Sequence, residues 1–300
     1  MAITASDVKQ LREMTGAGMM ACKNALKESD GDMEKAVDFL RQKGLAAAQK
    51  KQTRTAAEGV VATFVEGNLG VVVEVNCETD FVSKGDDFQS FAKAIASHIV
   101  SNKPSDIAEL LNQKFNGTDR TVAETATELT LKCGEKIDLR RFETVQLAGS
   151  GVVGNYNHGG KIGVLVEINA TESNDAVQEL AKDLAMHVAA ADPKFLNAGD
   201  IDEDFKAREA AIYKAQLEEQ GKPADMIDKI IKGKLNKLAS EVCLLNQKFV
   251  KDADTTVEKL IASVNKEITI TSFVKLNLGE GIEKKEDNLA EEVAKMTGKQ

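Results

Sequence analysis

Apolar residues in the first 44 positions recur at helical spacing in three blocks. Val8 and Leu11 share a face in the first. Thr4 can open it through a capping box with Asp7, although Glu or Gln would be the stronger third residue. Thr15-Gly16-Ala17-Gly18 interrupts the period, and Met19, Cys22, Ala25 and Leu26 begin a second stripe that ends near Ser29-Asp30-Gly31. Asp32 is placed to cap a third helix, with Met33, Ala36, Val37 and Leu40 as its stripe and Gly44 as its stop. Positions 45–57 lack a strong apolar period and read as a linker or a frayed helix. Met19 and Met20 cannot share a face, because neighbours on a helix are about 100° apart. One of the two is therefore a candidate for exposure and for an adaptable protein contact, the alternative being that both lie partly buried at the core's edge.

Downstream the period changes to that of strands. EGVVATFVEGNLGVVVEVN at 58–76 and SGVVGNYNHGGKIGVLVEIN at 150–169 both give GVV, a glycine-containing turn and a G-V-x-V-E-x-N strand, so each predicts a β-hairpin. The likeness continues into two amphipathic helices, FAKAIASH at 91–98 and LAKDLAMH at 180–187, each ending in His. A hairpin followed by a helix, twice, predicts an α+β architecture with a duplicated antiparallel core. Helices are expected at 121–132 and 260–267, and strands at 139–147 and 268–278. Between them, 203–220 and the stripe Met226, Ile227, Ile230, Ile231, Leu235 and Leu238 flank a Gly221-Lys222-Pro223-Ala224 turn. So short a connection predicts an antiparallel helical hairpin, either a coiled-coil-like arm or an element packed on the body. Residues 280–300 carry Leu289, Val293 and Met296 among charges, a weak stripe for a terminal helix.

Composition narrows the function classes. With 300 residues, 42% hydrophobic and 29% charged, the chain is long enough for about two domains and needs no disulfide or metal staple. A net charge of −9 argues against a surface built for nucleic acid. Residues 1–57 hold ten basic and seven acidic side chains, a net +3, which leaves −12 for the rest. A mildly basic first module, with Arg12, Lys23 and Lys51, suits an acidic protein surface, though a solvated face explains the same charges. Cys22, Cys77, Cys133 and Cys243 are too far apart for a zinc motif and read as free thiols of a reducing cytosol. No apolar run spans a membrane, and the start has neither a secretion-signal nor a transit-peptide profile, so a cytoplasmic protein is expected.

Catalytic signatures are missing. There is no G-x-S-x-G, H-E-x-x-H or strand-linked G-x-G-x-x-G, and GNYNHGGKI at 154–162 has the wrong Gly–Lys spacing and an Ile where a phosphate loop needs Ser or Thr. No cofactor, bound metal or covalent chemistry is expected. His98 and His187 end matched helices, where charge complementarity to the helix terminus or local hydrogen bonding is the ordinary reading, while His158 sits in a turn beside two glycines and reads as exposed. The most informative segment is NCETDFVS at 76–83, between an apolar strand and a helix; its counterpart NATESN at 169–174 has no aromatic. Phe81 is thus not demanded by the shared scaffold. It either packs back on the helix or protrudes as an aromatic contact for a partner.

LREMTGAGMMACKNAL at 11–26, GDMEKAVDFLRQKG at 31–44, NCETDFVSKGDDF at 76–88, KIGVLVEI at 161–168, GKP at 221–223 and GEGIEKKEDNLAEEV at 279–293 together resemble the bacterial elongation factor Ts family over nearly the whole chain. The resemblance implies guanine nucleotide exchange on elongation factor Tu, in its GDP-bound and nucleotide-free forms, with no bond-making chemistry. It implies a UBA-like three-helix module at 1–45, a linker at 46–57, core subdomains at 58–139 and 140–279, a coiled-coil insertion at about 202–238 and a C-terminal helical module at 280–300. Arg12, Met19, Met20 and Lys23 would meet the partner's nucleotide-binding domain. Thr79, Asp80, Phe81 and Val82 would form the intruding turn, with His158 and Lys51 as further contacts. The match is looser over 170–220. A one-to-one complex and a homodimeric, two-to-two assembly both remain open, and the rival reading is a scaffold that binds without driving exchange.

Overall fold

The computed structural model describes residues 3–283, with the side chains at 45, 47–49 and 225 excepted. The chain divides into two compact units, one made of residues 1–61, 73–142 and 277–300, the other of 62–72 and 143–276. The terminal helix expected at 280–300 lies almost wholly outside the described residues. Three sheets are present among them, with strands in the order Glu58–Glu66, Leu69–Cys77, Asp138–Gln146 in the first, Gly151–His158, Ile162–Asn169, Thr269–Asn277 in the second and Lys248–Phe249, Asp252–Thr256 in the third.

The first unit opens with α1 (Ala5–Thr15), α2 (Met19–Glu28) and α3 (Met33–Lys51). The predicted capping box forms: the Asp7 N–H donates to Thr4 Oγ1 at 3.2 Å and the Thr4 N–H to Asp7 Oδ2 at 2.9 Å. The Thr4 N–H bond to the carboxylate, with the Thr4 side chain beside it, favours the ionised acid and holds the Asp7 carboxyl below its usual range. Gly16 takes the left-handed conformation that ends α1, and Asp32 accepts from the Lys35 N–H at 3.1 Å to start α3. Val8, Leu11, Cys22, Ala25, Leu26, Ala36 and Leu40 make the core of the three helices. The structure corrects two expectations here. Met19 does not join that core, so both methionines are exposed. Gly44 does not stop α3, which runs on to Lys51; a Cβ at 44 would overlap Leu131 of a later helix, so the glycine permits close packing within a continuing helix.

Next come β1 (Glu58–Glu66) and β2 (Leu69–Cys77), joined by the two-residue turn Gly67-Asn68, with every residue of β2 buried. The boundary between the units passes through both strands and through β3 (Asp138–Gln146). In the first unit β2 leads into α4 (Asp80–Ser83), α5 (Asp86–Asn102), α6 (Ile107–Asn112) and α7 (Val122–Cys133). Thr121 and Glu124 form a second capping box on α7. Arg41 of α3 pairs with that same Glu124, and Lys51 Nζ donates to the Gly134 carbonyl at the other end of α7.

The fully buried Glu74 carboxylate accepts from Arg140 at 3.0 Å, Arg141 at 2.7 Å, Asn76 at 3.1 Å and the Gly279 N–H at 2.8 Å. Burial alone would raise its pKa, but Gly279, Arg141, Asn76 and Arg140 together hold it below the ordinary carboxylate value. These bonds tie the start of the C-terminal segment to β2 and β3 within this unit.

In the second unit β4 (Gly151–His158) pairs antiparallel with β5 (Ile162–Asn169), from Gly151 opposite Asn169 to His158 opposite Ile162. Helix α8 (Asp175–Ala191) follows, and its Leu180, Leu184 and Val188 pack with Val164, Val166 and Ile168 of β5. Full burial of such a side chain contributes about 1.5–3 kcal/mol. Helices α9 (Glu203–Glu219) and α10 (Ala224–Val242) form the predicted hairpin, anchored at its base by Phe205 edge-on to Phe195 with centroids 5.0 Å apart. Its turn-ward residues Ile212 and Met226 are exposed. The two short strands β6 (Lys248–Phe249) and β7 (Asp252–Thr256) were not expected from the sequence. Helix α11 (Val257–Val264) begins three residues earlier than expected, because Thr256 caps it and Val257 and Ile261 are its buried face. Strand β8 (Thr269–Asn277) closes the second sheet.

The two hairpin–helix segments correspond in detail. Gly59 and Gly151 have φ of +142° and +153°, and at each a Cβ would overlap the carbonyl oxygen of the facing strand, Val75 in one and Ile168 in the other. Helices α5 and α8 are both 17 residues long and end in a non-glycine left-handed cap, Lys103 at φ +48° and Asp192 at φ +49°. His98 and His187 are wholly buried, each with Nε2 3.0 Å from a glutamine Oε1, Gln113 and Gln247 respectively. Both make local hydrogen bonds, one of the two roles expected of them. The Val250 N–H donates to His187 Nδ1 at 3.2 Å, so the proton sits on Nε2, and burial pushes this imidazole's pKa down.

Candidate functional site

Two groups of sequence-predicted residues gather in the first unit. The turn after β2 is the sharper one. Thr79 is the N-cap of α4, its Oγ1 accepting from the Val82 N–H at 3.4 Å, and the Ser83 N–H reaches the Thr79 carbonyl at 3.3 Å. Asp80 pairs with Lys84 Nζ at 2.6 Å. Val82 is half-buried, so the single turn of helix is pinned on one side. Phe81, on the other side, is 85% exposed, more than any other large apolar side chain among the described residues. It does not pack back on its own helix. A lone exposed residue needs no explanation in general, but an aromatic this bare, on a turn held at both ends, presents a rigid apolar contact to solvent.

The base of the turn is held by two glutamates that no sequence motif marks. The Glu135 carboxylate accepts from the Glu78 N–H at 3.1 Å, the Thr79 N–H at 2.9 Å and the Thr79 hydroxyl at 2.6 Å. In return the Glu78 carboxylate accepts from the Lys136 N–H at 2.7 Å and pairs with Arg54 at 3.1 Å. A signal existed: Glu135 lies just past the C-terminus of α7, where the helix dipole disfavours an acid, so it needs another reason to be there. Cys77 lies buried beneath, and desolvation, with the Glu135 charge, pushes its thiol up to about 12, which makes it a packing group and not a nucleophile.

The second group is a groove of about 570 Å³ between α1 and α2. Arg12, Met19, Met20 and Lys23 all line it, together with Ile3 and Val8. Met19 and Met20 are 57% and 66% exposed, so two flexible apolar side chains stand beside two cations. This arrangement fits a protein surface that is apolar at its centre and acidic at its edge.

The remaining candidates are placed differently. Lys51 is engaged with the Gly134 carbonyl. His158 belongs to the second unit, exposed at the end of β4, with Nδ1 3.0 Å from the Tyr156 hydroxyl. The turn beyond it closes through the Gly160 N–H donating to Asn157 Oδ1 at 2.8 Å. Among the described residues no cluster of three His, Cys, Asp or Glu side chains is arranged to hold a metal ion. No helix among them is long and apolar enough to cross a membrane.

A family model described as Elongation factor TS matches residues 78–280. The chain is 50% identical over 304 aligned residues to elongation factor Ts of Clostridium perfringens (strain SM101 / Type A), covering 99% of this chain and 100% of that one. The chain belongs to the elongation factor Ts family. Elongation factor Ts of Syntrophotalea carbinolica is likewise 50% identical over 303 residues, and that of Trichlorobacter lovleyi 49% over 310, each covering 99% of this chain. Elongation factor Ts proteins are guanine nucleotide exchange factors for elongation factor Tu and carry out no covalent chemistry, so the class is that of a helper protein and not an enzyme.

Proposed function

We propose that this chain binds elongation factor Tu in its GDP-bound form and accelerates GDP release by driving Phe81 between partner elements near the nucleotide and its magnesium ion. The observation that carries this reading is the 85% exposure of Phe81 on a turn braced by Thr79 and Glu135. The α1–α2 groove serves as the docking surface, with Arg12 and Lys23 steering and Met19 and Met20 filling the contact. Asp80 and Val82 flank the wedge, and His158 and Lys51 are the further contacts. The first three helices act as a UBA-like module, the two hairpin–helix segments as duplicated core subdomains, and α9–α10 as a coiled-coil insertion. All of this takes place in the cytoplasm, as a one-to-one or two-to-two assembly.

The energetics are those of linkage. An exchange factor must bind the nucleotide-free partner more tightly than the GDP form, and by reciprocity GDP is then held less tightly in the complex. Shifting the elements that hold magnesium and the phosphates removes charge stabilisation from the pyrophosphate, which is where that differential affinity resides. The test is release of fluorescent GDP from magnesium-loaded elongation factor Tu with the full chain at catalytic concentration. A large acceleration that saturates with factor concentration supports exchange. Binding without acceleration supports a scaffold and rejects the wedge.

A further inference from the structure

We infer that Glu135 is a positioning residue for exchange, acting through the turn that carries Phe81; the inference rests on the wedge reading above. An ionised carboxylate has no proton to give. It only accepts, so the Thr79 hydroxyl, 2.6 Å from Glu135 Oε1, must donate to it. That fixes the hydroxyl proton and turns the lone pairs of Thr79 Oγ1 toward the Val82 N–H, 3.4 Å away. The cap of α4 is therefore set by Glu135. Its other oxygen accepts from two successive backbone N–H groups, Glu78 at 3.1 Å and Thr79 at 2.9 Å, which fixes the direction in which the chain leaves β2. The Lys136 N–H to Glu78 bond at 2.7 Å closes the connection from the other side.

All three hydrogen bonds to the Glu135 carboxylate come from Glu78 and Thr79. Phe81 follows two residues later and has almost no packing of its own to hold it. A side chain so exposed is aimed only by its backbone, and the backbone is aimed by this carboxylate. Pre-ordering the turn removes an entropic cost that would otherwise fall on the step in which the wedge enters the partner. Docking through the α1–α2 groove does not pass through Glu135, so its loss acts on the rate of release more than on the encounter.

The experiment measures fluorescent GDP release from magnesium-loaded elongation factor Tu against factor concentration, with the full-length chain and its Glu135→Ala, Glu135→Gln, Phe81→Ala and doubly substituted (Glu135→Ala with Phe81→Ala) variants. Glu135→Ala is expected to lower the maximal rate about tenfold or more, with the half-saturating concentration changed less than about threefold. Glu135→Gln keeps an acceptor for the two N–H groups and an amide that the Thr79 hydroxyl can accept from, so it should stay within about threefold of the original rate. The double variant should be no slower than Phe81→Ala alone, since the two substitutions break one chain of cause. A normal maximal rate for Glu135→Ala beside a slow Phe81→Ala, or full additivity in the double variant, overturns the role of Glu135 and leaves the wedge standing. A normal rate for Phe81→Ala overturns the wedge itself. Should Glu135→Ala fail to fold, Thr79→Val removes the same hydroxyl link, and an unchanged maximal rate for that variant counts equally against the inference.

Discussion

The two hairpin–helix segments share a frame and differ in what leaves it. Each has a positive-φ glycine against the facing strand, a 17-residue helix with a left-handed cap, and a buried histidine bonded to a glutamine. After β5 the chain passes through residues 170–174 to Asn174, which caps α8 directly. After β2 it inserts a turn of helix, exposes Phe81 and secures the turn from outside with Glu135. The common features answer to folding. Phe81 does not, because the other segment folds with no aromatic in its loop. A difference between similar frames therefore separates groups held by packing from groups free to serve a partner.

The glutamates of the corresponding strands β2 and β5 offer the strongest contrast between the two frames. Glu74 is bound by two arginines and a backbone N–H, whereas Glu167 accepts from Ser272 Oγ at 2.8 Å. Glu74→Ala should cost about 3 kcal/mol, near the low end for a broken buried ion pair because both guanidinium groups keep some contact with water. Glu167→Ala should cost about 1 kcal/mol, the loss of a single hydrogen bond to a neutral donor. Urea titration of both variants measures the contrast, and equal losses would mean that the two sites are not energetically distinct.

The glycines should behave alike where the glutamates do not. Gly59→Ala and Gly151→Ala each force a side chain into a strained φ and against a carbonyl oxygen, and each should cost about 2 kcal/mol. A large loss at one site and none at the other would break the correspondence of the frames.

A smaller effect follows from His187. Its folded pKa lies below the ordinary imidazole value near 6.5, so at higher pH both states are neutral and stability is unaffected. As pH falls below about 6.5 the unfolded chain takes up a proton that the folded chain refuses, and stability declines. His187→Gln should flatten the part of the stability profile between about pH 6.5 and 5, measured by denaturant unfolding at each pH; an unchanged slope there would assign it to other groups.

Much of the frame was legible because its signals are local. The Thr4–Asp7 box, the Asp32 cap and the strand-turn-strand pattern at 58–76 and 150–169 depend on neighbours in sequence, and each formed as expected. Phe81 was legible by contrast with its aromatic-free counterpart. Groups whose reason lies far along the chain were not. Gly44 reads as a helix stop until Leu131 is found against it. Met19 lies on the expected stripe, but the helix presents it at the groove rim instead of the core. Glu135 reaches back 56 residues to Thr79, and Glu74 waits for arginines more than 60 residues on. The β6–β7 pair is too short and too polar for strand periodicity to register.

A wedge differs from a simple contact in that the exposed aromatic changes the rate of GDP release and not only the affinity. Fluorescent-GDP release from magnesium-loaded elongation factor Tu, measured with the original chain and with Phe81→Ala, tests it most directly when paired with affinity for the nucleotide-free partner. Phe81→Ala should lower the maximal release rate about 30-fold or more, the equivalent of about 2 kcal/mol for a hot-spot aromatic, with affinity for the nucleotide-free form reduced less than about tenfold. A variant that releases GDP as fast as the original chain would contradict the wedge and leave Phe81 as an incidental surface residue.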